Sequence, residues 1–217
     1  PVAAVLPDLL KTLEQQPNAV LVAPPGAGKT TLTPLALLEA SWLAGQKIIL
    51  VEPRRVAVRG AASRMASTMG ERPGETVGFR TRTDSAVSGR TRIEVVTEGL
   101  LVRRLLVDPT LDGVGAILFD EVHERSLDLD AALGFCLDLQ RELRPDLRML
   151  AMSATPDGRA FTDLMNAALI ESEGRQYPID IRHTRDVMHP RDLPEACARA
   201  IRQAFTEEEG DILAFLP

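Results

Sequence analysis

The sequence predicts a doubly wound α/β domain, a mostly parallel sheet with helices on both faces. Short apolar runs alternate with longer segments of helical period along most of the chain. Several of those runs, Ile48–Val51 and Ala116–Phe119 among them, are continuously apolar rather than alternating. Continuous burial of this kind is what helices covering both faces of a parallel sheet demand.

Taken in order, Ala19–Ala23, Lys47–Val51, Arg92–Val96, Gly115–Phe119 and Arg148–Met152 read as strands. Thr30–Trp42, Ala57–Met69, Gly99–Val107 and Leu127–Gln140 read as the helices between them. Proline is comfortable only in the first turn of a helix, so Pro34 implies that the first of these begins near Lys29. The pattern covers residues 1–171. After Glu171 it changes: 171–175 is polar and contains Gly174, which suits a linker. A strand at Tyr177–Arg182, a helix at Leu193–Phe205 and a strand at Asp211–Phe215 follow. One helix and two strands cannot bury two faces by themselves, so residues 172–217 read as a linker and the opening of a second, incomplete domain.

A chain of 217 residues is long enough for one well-buried domain with something left over. At 45% hydrophobic and 26% charged residues the composition is that of a soluble globular protein. No window approaches 18 uninterrupted apolar residues, which excludes a membrane-spanning helix, and PVAAVLPDLL lacks the flanks of a signal peptide. The absence of an initiator Met leads us to expect a processed or cloned piece. Cys136 and Cys197 lie far apart in amphipathic segments, as structural thiols of a reduced, cytoplasmic protein would.

The net charge of −6 hides an asymmetry. Between Lys47 and Arg104 stand 12 Lys/Arg against 6 Asp/Glu, a local balance of +6; the remainder holds 13 against 25, or −12. Attraction for phosphate depends on where charge sits, because salt screens it beyond about 8–10 Å. A solvated arginine surface has the same composition, so charge alone leaves the choice open.

APPGAGKT, Ala23–Thr30, lies between an apolar strand and a helix. Gly26, Ala27 and Gly28 keep side chains clear so that backbone N–H groups, with those of Pro25's neighbours and Thr31, can surround phosphates at a helix N-terminus. Lys29 would reach the β- and γ-phosphates of ATP, and the Thr30 hydroxyl would hold Mg²⁺. The pattern G-x-x-x-x-G-K-[ST] is broken at its first place, where Ala23 stands.

The apolar run ending at Phe119 delivers two adjacent carboxylates, Asp120 and Glu121, to the edge where open α/β sheets bind ligands. Asp120 suits the Mg²⁺ shell and Glu121 the base that orients and deprotonates an attacking water. A metalloprotease reading of His123–Glu124 fails, because H-E-x-x-H requires His where Leu127 stands. Three weaker signals also follow strands. Arg54 and Arg55 of EPRR present guanidiniums suited to phosphodiester oxygens. Thr97, Glu98 and Gly99 open a helix, where backbone N–H and hydroxyl groups can meet a phosphate. Ser153-Ala154-Thr155 ends a further strand.

In this order, APPGAGKT, EPRR, TEG, DEVH and SAT resemble motifs I, Ia, Ib, II and III of superfamily 2 helicases, in the DExH/DEAH-box branch. DPTLDGVGAILFDEVHERSLDLD and ESEGRQYPIDIR are similar to the bacterial HrpB-type members. The resemblance implies a RecA-like P-loop NTPase domain, the start of a second RecA-like domain, ATP-dependent movement along or remodelling of single-stranded RNA, and Mg²⁺ as cofactor. It implies nucleotide roles for Gly28, Lys29, Thr30, Asp120 and Glu121. It places Arg54, Arg55, Thr97 and Gly99 on the nucleic-acid backbone, and gives His123, Ser153 and Thr155 the coupling of hydrolysis to domain movement. Val122 departs from the DEAH spelling at a position with no catalytic role. The family's Q-x-x-G-R-x-G-R stretch, whose arginines reach the γ-phosphate from the second domain, has no match here, so weak or no turnover is expected of this chain alone. A binding module without turnover is the alternative. A P-loop kinase is disfavoured by the TEG and SAT signals. RNA target, direction of movement, base preference and oligomeric state are not written in the sequence.

Overall fold

The computed structural model describes residues 2–173, 179–183 and 189–215. The chain divides into two compact units, residues 1–175 and 176–217.

The first unit is built on one eight-stranded sheet. Its strands are β1 (Asn18–Val22), β2 (Lys47–Glu52), β3 (Val77–Arg80), β4 (Ser85–Ala86), β5 (Ile93–Thr97), β6 (Val114–Phe119), β7 (Arg148–Ser153) and β8 (Ala168–Glu171). They lie in the order β4-β3-β5-β2-β6-β7-β1-β8. Every pairing is parallel except that of β3 with the two-residue β4. The five strands expected from the sequence are the five central ones, each within a residue or so of its expected bounds. β3, β4 and β8, which the apolar pattern does not mark, extend the sheet at its edges.

Alternate residues of the central strands face opposite layers, as the pleat requires. Ala19, Leu21, Ile48, Leu50, Leu118 and Leu150 are buried on one face. There they pack against α1 (Leu6–Gln15), α2 (Lys29–Leu37) and α3 (Arg55–Thr68) through residues such as Leu9, Leu37 and Met65. Val20, Ile49, Ile117, Phe119 and Met149 face the other way. They meet α4 (Glu98–Val107), α5 (Leu127–Glu142) and α6 (Ala160–Met165) through Leu101, Leu133 and Phe161. Each central strand is thus apolar on both sides, the physical reason that its sequence reads as a continuous run. A buried amide pair pins α5 to the base of β1. Asn18 Nδ2 donates to Gln140 Oε1 at 3.1 Å, and Gln140 Nε2 returns a bond to Asn18 Oδ1 at 2.8 Å.

The helix expected at Thr30–Trp42 stops at Leu37 and is followed by a separate 3₁₀ turn, Ser41–Leu43. It does start at Lys29, with Pro34 buried inside it. No helix among the described residues is long and apolar enough to cross a membrane.

In the second unit α7 (Leu193–Glu207) forms as expected, entered through a 3₁₀ turn at Pro190–Asp192, and none of its described residues is buried. The two strands expected here need correction. Of Tyr177–Arg182, residues 177 and 178 lie outside the described residues, and 179–182 take no regular structure. Asp211–Phe215 likewise has no strand partner among the described residues. An apolar run becomes a strand only by pairing, and an isolated one has no ladder to join.

Candidate nucleotide site and nucleic-acid edge

All five motifs emerge from the carboxyl ends of parallel strands, so the order β5-β2-β6-β7-β1 sets them side by side along one edge of the sheet. This is the edge at which open α/β sheets bind ligands.

The loop from β1 to α2 carries Pro25 and Gly26, both exposed, the buried Ala27, and Gly28 as the N-cap of α2. Gly26 and Gly28 have φ of 74° and 91°, in the left-handed region that favours glycine. A Cβ on Gly28 would also lie 2.9 Å from Leu32 Cδ1. Ala23, where the motif usually has glycine, is 1% exposed, has no positive φ, and its N–H donates to the Ser153 carbonyl at 3.0 Å. That place continues the strand, so it has no need of glycine.

Lys29 is 4% exposed and its Nζ donates to Glu121 Oε1 at 3.0 Å. The Thr30 hydroxyl donates to Asp120 Oδ2, while Asp120 Oδ1 accepts from the Glu121 N–H at 2.9 Å. Thr31 is half-buried and its N–H bonds the Gly28 carbonyl at 3.2 Å. Two motifs separated by about 90 residues therefore interlock through side chains. Burial raises the Asp120 carboxyl above the usual carboxylate range, against the opposing pull of Thr30 and Lys29.

A third carboxylate, to which the sequence pattern assigns no role, joins these two. Glu52, the last residue of β2, is 3% exposed, and its Oε1 has no hydrogen-bond partner among the described residues. Burial, and then the neighbouring Asp120, push it up to about 9. It stands as a neutral acid at neutral pH beside Asp120. Its only sequence signal is its place immediately before Pro53-Arg54-Arg55 at a strand end.

Glu121 holds φ 51° and ψ 39°. A non-glycine residue keeps that left-handed conformation only where its surroundings over-determine it, and such residues cluster at functional sites. The His123 Nδ1 lies 3.4 Å from each of Glu121 Oε2, Ser153 Oγ and Ala154 N. Ser153 is fully buried and its hydroxyl donates to the Thr155 carbonyl at 2.9 Å. The Thr155 hydroxyl is buried with no partner among the described residues. His123, Ser153 and Thr155 thus form one cluster behind Glu121.

Farther along the edge the character changes. Arg54 and Arg55 are exposed; Arg54 Nη2 donates to Glu124 Oε1 at 2.9 Å, and Arg55 has no ion pair among the described residues. Thr97 and Gly99 are half-buried at the N-terminus of α4. Glu98 differs from its expected place on a nucleic-acid surface, being 8% exposed with its Oε2 accepting from Ser126 Oγ at 2.5 Å. An inward carboxylate leaves only the Glu98 backbone for phosphate, because burial holds the side chain in the first turn of α4. A cavity of about 390 Å³ runs from Asp120 and Glu121 past Glu52 to Arg54.

Among the described residues no group of three or more His, Cys, Asp or Glu side chains forms a metal cage. The Thr30 hydroxyl and one buried carboxylate do meet. That donor set fits Mg²⁺, which keeps water and phosphate oxygens and takes only one or two ligands from protein.

A glycine-bearing loop between strand and helix, interlocked with a strand-end carboxylate pair, is the layout of a P-loop domain, and the wider comparison defines its class. The DEAD/DEAH box helicase family matches residues 3–164, and the chain belongs to it. It is 47% identical, over 100% of its length, to the ATP-dependent RNA helicase HrpB of Escherichia coli, and covers 27% of that protein. It is 34% identical to the human probable ATP-dependent RNA helicase DHX35, covering 32% of it. The crystal structure of the Escherichia coli DEAH/RHA helicase HrpB superposes with a TM-score of 0.91 at 46% identity, over 100% of this chain and 28% of that one. The chain therefore spans about a third or less of the relatives it matches.

Proposed function

We propose that this chain is the ATP-binding domain of an ATP-dependent RNA helicase, with residues 172–217 leading into a second RecA-like domain. The observation that carries the reading is the interlock of Lys29 with Glu121 and of Thr30 with Asp120. It supports a site in which the loop that starts at Pro25, the N–H groups of residues 26–31 and the α2 N-terminus bind the phosphates of ATP. Lys29 then exchanges Glu121 for phosphate oxygens. Thr30 and Asp120 would hold Mg²⁺, which when bound neutralises charge on the phosphates. Glu121, freed from Lys29, accepts a proton from water aligned with the γ-phosphate. His123, Ser153 and Thr155 couple that event to movement against the second domain. Arg54, Arg55, Thr97 and the α4 N-terminus grip the phosphodiester backbone of single-stranded RNA, which carries no sequence information. The names of the relatives support RNA as the strand. The two thiols, free among the described residues, agree with a cytoplasmic setting.

This chain has no Q-x-x-G-R-x-G-R stretch. An arginine supplied from outside is worth about 10³–10⁵ in rate in related phosphoryl-transfer systems. Nucleotide binding with slow turnover is the expected result for the chain alone. The test is Mg-ATP binding by calorimetry beside hydrolysis with and without single-stranded RNA, for wild type and Glu121→Gln. Binding retained by both, with residual turnover lost in the variant, is expected. No nucleotide binding at millimolar concentration sinks the reading.

A further inference from the structure

The nucleotide residues and the nucleic-acid residues occupy different strand ends, and six consecutive residues touch both. Within Glu121–Ser126, Glu121 bonds Lys29 and His123 lies against Ser153 and Ala154. Three residues on, Glu124 Oε1 accepts from Arg54 Nη2 at 2.9 Å, and Ser126 Oγ donates to Glu98 Oε2 at 2.5 Å. These last two contacts tie the segment to α3 and α4, the helices that carry the exposed arginines and the TEG turn.

The two ties differ in kind. The Arg54–Glu124 pair is 72% and 37% exposed, so water and salt screen it and it opens readily. The Glu98–Ser126 bond is sheltered, and the same Ser126 hydroxyl caps α5 by accepting from the Leu129 N–H at 2.9 Å. One contact is a weak latch and the other a firm pivot. Between the pivot and the nucleotide site the backbone has positive φ at Arg125, 48°, and at Glu121, 51°. Non-glycine residues keep such angles only under constraint. Arg125 also makes a two-point bond to Asp130, at 3.1 and 2.7 Å, through a pair as exposed as the latch. Releasing the latch removes a constraint from a segment whose other end is Glu121.

We propose that Glu124 and Ser126 are positioning residues that couple strand binding to the nucleotide site. Glu124 stands on Arg54 where a phosphodiester oxygen would bind. A strand displaces it, and the segment turns about Ser126 and resets Glu121 relative to Lys29. The inference rests on the function proposed above and adds the route between its two ligands. Coupling of this kind is reciprocal, so nucleotide must change strand affinity by the same factor as strand changes nucleotide affinity.

The test titrates this chain with the Mg complex of a fluorescent non-hydrolysable ATP analogue, with and without saturating single-stranded oligouridylate. In the wild type the two Kd values should differ at least threefold. In Glu124→Gln oligouridylate alone should bind several-fold more tightly, because Arg54 has lost its internal carboxylate, and the ratio of nucleotide Kd values should fall to one. Ser126→Asp keeps the α5 cap but loses the proton donor and faces Glu98 with like charge. It should bind each ligand alone within twofold of wild type and also show a ratio of one. Ser126→Thr, which retains donor and cap, should restore the wild-type ratio. If Ser126→Asp does not fold, the exposed Glu124→Gln change decides by itself. A wild-type ratio of one, or a wild-type ratio kept in Glu124→Gln, overturns the proposal. Failure of the wild type to bind either ligand at all overturns the proposed function instead.

Discussion

The P-loop end of the sheet edge and its arginine end are built alike and finished differently. At both, a buried parallel strand stops, a short turn follows, and a helix begins. At the P-loop end the polar side chains turn inward: Lys29, Asp120 and Ser153 are at most 4% exposed, and each is hydrogen-bonded within the site, to Glu121, Thr30 and the Thr155 carbonyl in turn. At the other end Arg54 and Arg55 face solvent. Chemistry on a phosphoanhydride needs atoms fixed to fractions of an ångström, and burial in a bonded cluster fixes them. Gripping a backbone needs charge within reach and little else. The difference teaches that removing the buried cation of the first end should damage stability and binding together, whereas removing an arginine of the second should damage binding alone.

The largest expected effect is that of Lys29→Ala. From the sequence alone we expect lost nucleotide affinity with stability of the nucleotide-free protein nearly unchanged. The structure revises the second half, since Lys29 is the cation among Glu52, Asp120 and Glu121. Removing one partner of a sheltered ion pair strands the other, and here we expect a cost of about 1–3 kcal/mol, tempered because Glu121 is partly exposed and water can solvate it. Mg-nucleotide affinity should fall by about a hundredfold or more, worth about 2.7 kcal/mol. Calorimetric titration beside thermal unfolding checks both halves; full stability with lost affinity would break the comparison.

Next in size are the arginines, which should leave the melting temperature unmoved. Arg55→Ala should weaken oligouridylate binding about three- to tenfold and lower the slope of log K against log salt by about 0.7, one single-strand phosphate. Arg54→Ala should cost less in the absence of nucleotide, because Glu124 already compensates that charge. Salt-dependent titrations of the two variants give the answer, and equal losses would show that Glu124 does not compete with phosphate.

How much of this the sequence displays follows from the range of each interaction. The five central strands and the motifs at their ends are legible because apolar runs and phosphate loops are local patterns. β3 and β4, four and two residues long, are too short to show a period, and β8 is a four-residue edge strand with one buried side chain. The helix α1 does carry its period, in Leu6, Leu9, Leu10 and Leu13, but its first half lies in the N-terminal stretch read only for targeting signals. Glu52, Glu98, Glu124 and Ser126 take their meaning from partners 28 to 70 residues away, such as Ser126 with Glu98 and Glu124 with Arg54. No spacing rule exposes those, since only the strand order brings them together. Asp211–Phe215 shows the converse, an apolar run whose local pattern promises a strand but which pairs with no strand among the described residues.

The smallest expected effect is the sharpest probe of the buried end. Glu52 titrates at about 9 in the folded protein against 4.5 in its ordinary state. Between those values the folded chain holds a proton that the unfolded chain has released. Stability carried by that proton is full below pH 4.5, declines through the window, and is gone above pH 9. Glu52→Gln removes the titration while keeping an amide donor toward Asp120. The nucleotide-free, Mg-free variant should therefore match or trail the wild type near pH 5 and exceed it near pH 9, with the two melting curves crossing between. Asp120, shifted in the same direction by burial, leaves some slope in the variant and makes the gain modest. Parallel melting temperatures across the range would mean that Glu52 reaches water, and the P-loop end would then be less closed than its bonded side chains indicate.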